Sequence, residues 1–134
     1  MNTINDEQQK EGVREYLTGE EILKHDDREV QDVQIRQWKN KWITIRALDG
    51  NTAMRFQEIV ADPARRQSAW IEIVALSAVR NVGTKEKPEY VLLFTQEQAE
   101  ELRFKSAGAM LGLQRHITKL NGFNEDAVEE AKKG

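Results

Sequence analysis

Apolar and polar positions alternate twice early in the chain and then settle into the three-and-four spacing of helices. Val33 and Ile35 alternate with polar neighbours, as do Ile43, Ile45 and Ala47 beyond the polar connection Lys39-Asn40-Lys41. That pattern predicts two strands joined as a hairpin. With a two-residue period, Val33, Ile35, Ile43 and Ile45 face the core, while Trp42, Thr44 and Arg46 point to the other side. Upstream, Thr18-Gly19-Glu20-Glu21 has the Thr-x-x-Glu spacing in which hydroxyl and carboxylate satisfy the free N–H groups of a helix start. A short helix through about Lys24 is expected, and the charged stretch from His25 to Glu29 breaks it.

Beyond the hairpin the pattern turns helical. Asp49-Gly50-Asn51-Thr52 offers a turn and a cap, and Met54, Phe56, Ile59 and Val60 follow at helical spacing until Asp62-Pro63, where proline disfavours helical geometry at the residue before it. Residues 64 to 81 contain a run, from Ala69 to Val79, that is apolar almost all round. This predicts one enclosed helix at the centre of the core. A polar loop, Gly83 to Pro88, leads to Tyr90-Val91-Leu92-Leu93-Phe94, for which a buried strand and an apolar plug are both open. Thr95-Gln96-Glu97-Gln98 is a second capping box, opening a helix with Ala99 and Leu102 inside. Met110, Leu113, Ile117 and Leu120 then form one apolar stripe that stops at Asn121-Gly122, and a last short helix is expected from Asn124. The class is α+β: a small N-terminal antiparallel hairpin or sheet packed on a C-terminal bundle of four to five short helices. Residues 1 to 14, polar and without periodicity, are expected to be a flexible tail, and 15 to 134 a single domain.

Composition narrows the function. Twenty Lys and Arg stand against 23 Asp and Glu, interleaved for a formal net charge of -3, so no basic face of the kind phosphates require is expected, and no nucleic-acid partner. No window approaches the length of a membrane span, and the N-terminus lacks a signal peptide's apolar stretch, which points to the cytoplasm. The absence of cysteine removes disulfides, thiolate nucleophiles and cysteine metal sites.

Candidate chemistry is sparse. His25 and His116 are far apart and lack convergent partners, and Asp26-Asp27 and Glu129-Glu130 read as solvated surface. Neither catalysis, metal nor cofactor is expected. Gly108 and Gly112 have G-x-x-x-G spacing in flanks too polar for a bilayer, so close packing of one helix on another is the expectation. Trp38 and Trp42 bracket the hairpin turn and serve either as anchors for a protein partner or as cover for the sheet's second face. Gln96 to Leu120, with Arg103, Lys105, Arg115 and Lys119, offers two consecutive helices, so a small helix-turn-helix regulator is the alternative reading, opposed by an acidic first helix.

The order of these features resembles the tail assembly chaperones of siphophages and prophages. The matching pieces are Leu17-Thr18-Gly19-Glu20-Glu21-Ile22-Leu23, the tryptophan-containing hairpin with Ile45-Arg46-Ala47-Leu48 before Asp49-Gly50, Ile73-Val74-Ala75-Leu76-Ser77, and Leu93-Phe94-Thr95-Gln96-Glu97. The ending from Leu120 through Asn121-Gly122-Phe123 to Lys133 completes the match, which covers residues 16 to 134. The resemblance implies a non-enzymatic protein of the bacterial cytoplasm, absent from the mature virion, that holds the tape measure protein. It also implies a longer product, made by ribosomal frameshifting, that recruits tail tube subunits. Ala131-Lys132-Lys133 can be encoded by a slippery heptamer, which makes them the candidate frameshift codons. Trp38, Trp42, Phe123 and Val128 are the candidate partner-binding residues, and weak self-association is compatible with such a surface.

Overall fold

The computed structural model describes residues 13–123. Of the expected N-terminal tail only Val13 and Arg14 are described, without secondary structure, and the expected helix from Asn124 lies outside the described residues. The chain runs α1 (Gly19–Lys24), β1 (Val30–Ile35), a 3-10 turn (Arg36–Trp38), β2 (Lys41–Arg46), α2 (Gly50–Ala61) and α3 (Arg66–Ser77). It continues with β3 (Ala78–Asn81), β4 (Tyr90–Leu92), α4 (Gln96–Glu101), a second 3-10 turn (Leu102–Phe104) and α5 (Ala107–Leu120).

Both capping boxes form. Thr18 Oγ1 accepts from the Glu21 N–H at 3.1 Å while Glu21 Oε1 accepts from the Thr18 N–H at 3.0 Å. Thr95 and Gln98 repeat the arrangement at the start of α4. Asp49 caps α2 through a 2.8 Å bond from the Thr52 N–H, and Asp62 closes its other end. At the end of α5, Gly122 takes φ +74, its N–H donates to the Lys119 carbonyl and the Phe123 N–H donates to the Thr118 carbonyl. These paired bonds satisfy carbonyls that a helix end otherwise leaves free, and they need a left-handed residue at position 122.

The hairpin pairs Val30 with Arg46 through Ile35 with Lys41. Its turn is the 3-10 segment followed by Lys39 and Asn40, both at positive φ. The sheet does not stop there. β3 pairs with β2 through Ala78–Ile45 and Val79–Thr44, and β4 pairs with β3, giving a four-stranded antiparallel sheet in the order β1-β2-β3-β4. This corrects the expectation of one helix over 64 to 81. The helix ends at Ser77, and residues 78 to 81 are extended because their backbone groups are satisfied by strands on both sides, which a four-residue stretch cannot announce by its own periodicity. In the apolar stretch Tyr90 to Phe94 the first three residues form a strand, at the sheet's edge and with Val91 and Leu92 exposed, while Phe94 packs partly buried on the core.

Among the described residues, helices α2, α3 and α5 share one core with the inward side chains of the hairpin. Val33, Ile35 and Ile45 join Phe56, Ile59, Ala69, Ile73, Val74, Leu102, Ala109, Met110, Leu113 and Ile117 in one cluster. Each large side chain sealed there, such as Ile45, Ile73 or Leu113, stabilises the fold by about 1.5–3 kcal/mol. Ile43 is half-buried against the same cluster. Helix α3 is the central packing element but is not enclosed all round, since Glu72 and Leu76 are exposed. Met54 of α2 is exposed as well. Gly108 approaches the hairpin turn: a Cβ there would meet Gln37 Nε2 at 2.7 Å, whereas one at Gly112 would meet nothing within 4 Å. The close approach is therefore of α5 to the turn, at one glycine and not at two.

Candidate partner-binding surface

The strand period that sends Ile43 and Ile45 inward sends Trp42, Thr44 and Arg46 to the opposite face, and the register brings Val79, Tyr90 and Leu92 alongside them. Trp42 and Leu92 are about half exposed or more, at 62% and 50%. Val79 is buried yet stands outside the helical core cluster, between its ladder partners Thr44 and Leu92. Arg46 sits 5.7 Å from the Tyr90 ring centroid, and Thr44 donates to Asp32 at 2.7 Å across the hairpin. This face thus offers apolar area around a large exposed ring, with its charged groups already engaged, which is the composition of an interaction surface.

A second feature lies where the hairpin turn meets α4. Trp38, Ile43, Leu93, Phe94 and Leu102 line a groove of about 500 Å³, with Gln98, Glu101 and Lys105 at its margin. Trp38 is half-buried against the core, so the two tryptophans are divided: Trp38 builds the groove and Trp42 stands free on the far face. Next to the groove, Phe104 is 80% exposed.

The other sequence candidates are placed differently. Phe123 is half-buried, its ring stacked on Phe56 at 6.1 Å, while Phe56 also meets Trp70 edge-on at 5.0 Å. Phe123 therefore belongs to the packing that closes the end of α5. Val128 and the candidate frameshift positions Ala131, Lys132 and Lys133 lie outside the described residues. Leu92, Leu93 and Phe94 were not singled out from the sequence as partner residues; the signal that finds them is the ladder register of β3 and β4, which needs the sheet first.

Helix α1 stands apart from the core, with no buried residue; its Ile22 and Leu23 are exposed, as are Tyr16 and Leu17 just before it. The connection after it is pinned. Arg28 donates to both carboxylate oxygens of Asp26, at 2.9 and 2.7 Å, and Arg46 reaches the same carboxylate at 3.7 Å. The hydrogen bonds from the Arg28 side chain and backbone hold the Asp26 carboxyl well below the usual carboxylate range.

Among the described residues no group of three metal-ligating side chains converges, and no helix is long and apolar enough to cross a membrane. His25 and His116 are exposed, at the end of α1 and on the outer side of α5. Helix α5 packs against α3 and against the hairpin and its turn, while α4 packs against α3 and the following 3-10 turn, so α4 and α5 make little contact with each other. That arrangement gives the regulator reading no support.

No family model matches the chain, and no curated protein does either. Among solved structures, it is similar to the bacteriophage HK97 tail assembly chaperone, at 16% sequence identity and a TM-score of 0.50, over 85% of this chain and 93% of that one. The chain thus shares its fold with the HK97 tail assembly chaperone.

Proposed function

We propose that the protein is a tail assembly chaperone of a long-tailed phage or prophage, working by reversible protein binding without catalysis. The observation that carries this reading is the extent of the fold match, across 85% of the chain, to a protein of that function. The exposed apolar face of the sheet agrees with it, because a chaperone needs surface that its own core leaves uncovered.

Its partner in this reading is the tape measure protein, whose long helical stripes aggregate in water unless covered. Short amphipathic elements cover such stripes in the helix-in-groove manner. Trp42 is the anchor on the open face, residues 15 to 134 act as one chaperone domain, and a frameshifted longer product brings tail tube subunits. The exposed side chains of α1 are compatible with weak self-association. The protein would act in the host cytoplasm and stay out of the finished virion.

The test is co-purification of the tagged chain with the tape measure protein encoded in the same genome. Capture and solubilisation of that protein are expected, and failure of the folded chain to retain it would overturn the reading. Sequencing the codons for Ala131, Lys132 and Lys133 tests the frameshift separately: a slippery run followed by an overlapping frame is expected.

A further inference from the structure

The hairpin has a charge balance opposite to that of the chain. Between Val30 and Arg46 stand Arg36, Lys39, Lys41 and Arg46 against one acid, Asp32, whereas the whole protein has a formal net charge of -3. Arg46 and Asp32 are engaged with neighbours. Arg36, Lys39 and Lys41 are exposed, and none of them forms an ion pair among the described residues.

These cations lie one or two residues along the chain from Trp38 and Ile43, which line the groove. Arg36 and Lys39 stand on either side of Trp38 in the turn, Lys41 shares the strand face of Ile43, and Lys105 itself lines the groove. Against them one carboxylate, Glu101, lines the groove; Glu97 stands on the same helix, and Glu100 there is paired with Arg103. Lys39 holds its place at φ 61 and ψ 31, a left-handed conformation that costs a lysine about 1–2 kcal/mol. The hairpin turn imposes it, since Asn40 also takes a positive φ.

We propose that this groove docks an amphipathic helix whose aliphatic side chains enter between Trp38, Ile43, Leu93, Phe94 and Leu102, and whose flanking carboxylates meet Lys39, Lys41 and Lys105. The proposal rests on the chaperone reading and narrows it to a partner chemistry. An acidic partner gains Coulomb attraction from cations that the fold leaves unpaired, and that attraction speeds encounter as well as fixing orientation. Hydrophobic contact with the groove supplies the rest, since carboxylates alone do not hold at physiological salt. A strand of nucleic acid would need stacking platforms in reach of the cations. Beside the groove a single ring, Phe104, is exposed among the described residues, while Trp42 faces the other side of the sheet from Lys41 and Ile43, and Trp38 is half-buried.

The experiment uses the full chain and two synthetic helical peptides with the same leucine stripe, one flanked by glutamates and the other by lysines. Fluorescence anisotropy should show the glutamate peptide binding about tenfold more tightly at low salt, with the contrast shrinking as salt is raised. Lys41→Glu and Lys105→Glu should each weaken that peptide, and Glu101→Lys should strengthen it, with melting temperatures unchanged because all three positions are exposed. Equal affinity for the two peptides, indifference to these reversals, or stronger competition by a single-stranded oligonucleotide would each overturn the proposal. The same variants are then taken to tape measure capture. Wild-type capture that survives both Lys→Glu reversals would overturn the acidic-helix proposal and leave the chaperone reading standing. Loss of capture by the wild type itself would remove that reading, while the peptide preference would still be measured independently.

Discussion

The Leu48 backbone N–H donates to Asn121 Oδ1 at 2.8 Å, tying the turn after β2 to the end of α5 across 73 positions of sequence. The same Asn121 side chain donates through Nδ2 to the Ile117 carbonyl at 2.8 Å. One amide thus serves the helix end and the start of the helical half of the fold. Asn121→Ala leaves a part-buried N–H without its acceptor, and a loss of about 1–2 kcal/mol in urea unfolding is expected. Asn121→Asp keeps the acceptor and should lose less.

Ser77, fully buried, donates through Oγ to the Arg46 carbonyl at 2.8 Å where α3 gives way to β3. Ser77→Ala should cost about 1 kcal/mol, read as a lower denaturant midpoint at an unchanged m-value.

The tail-binding reading separates two aromatic positions by what they lose. Trp42→Ala should change stability by under about 1 kcal/mol but weaken capture of the tape measure protein, because the ring is exposed. Phe123→Ala should cost stability, about 2 kcal/mol, less than the 3–5 of a fully buried ring. Thermal unfolding alongside pull-down distinguishes them.

Replacing Lys39 by glycine removes the left-handed penalty at φ 61. The variant should be more stable by about 1 kcal/mol, checked by chemical denaturation.

Acid sensitivity has a defined sign at Asp26. Its folded carboxyl titrates below the ordinary range near 4, so the stabilisation is present above that range and is lost as pH falls through it toward the depressed folded value. The group is largely exposed, with a side-chain accessibility of 53%, so screening limits the contribution to under about 1 kcal/mol. Asp26→Asn should flatten the stability profile below about pH 4, with the difference from wild type measured at neutral pH and at pH 3.

Local chemistry was legible in the sequence wherever a residue acts on its near neighbours. The capping boxes at Thr18 and Thr95, the stop at Asn121-Gly122, the inward set Val33, Ile35 and Ile45, and the stripe Met110, Leu113 and Ile117 all follow from hydrogen bonds or periodicities spanning a few residues. What the chain could not announce is long-range pairing. Ala78 to Asn81 is extended only because β2 and β4 stand on either side, and Tyr90 to Leu92 is an edge because no further strand of the described residues pairs with it. The candidate surface belongs to the same category. That Trp38 and Trp42 part company, one into a groove with Leu93 and Phe94 and the other onto an open face with Leu92, depends on where strands that begin at 78 and 90 come to lie. Side-chain neighbours across a sheet are fixed by register, and register is a property of the folded chain.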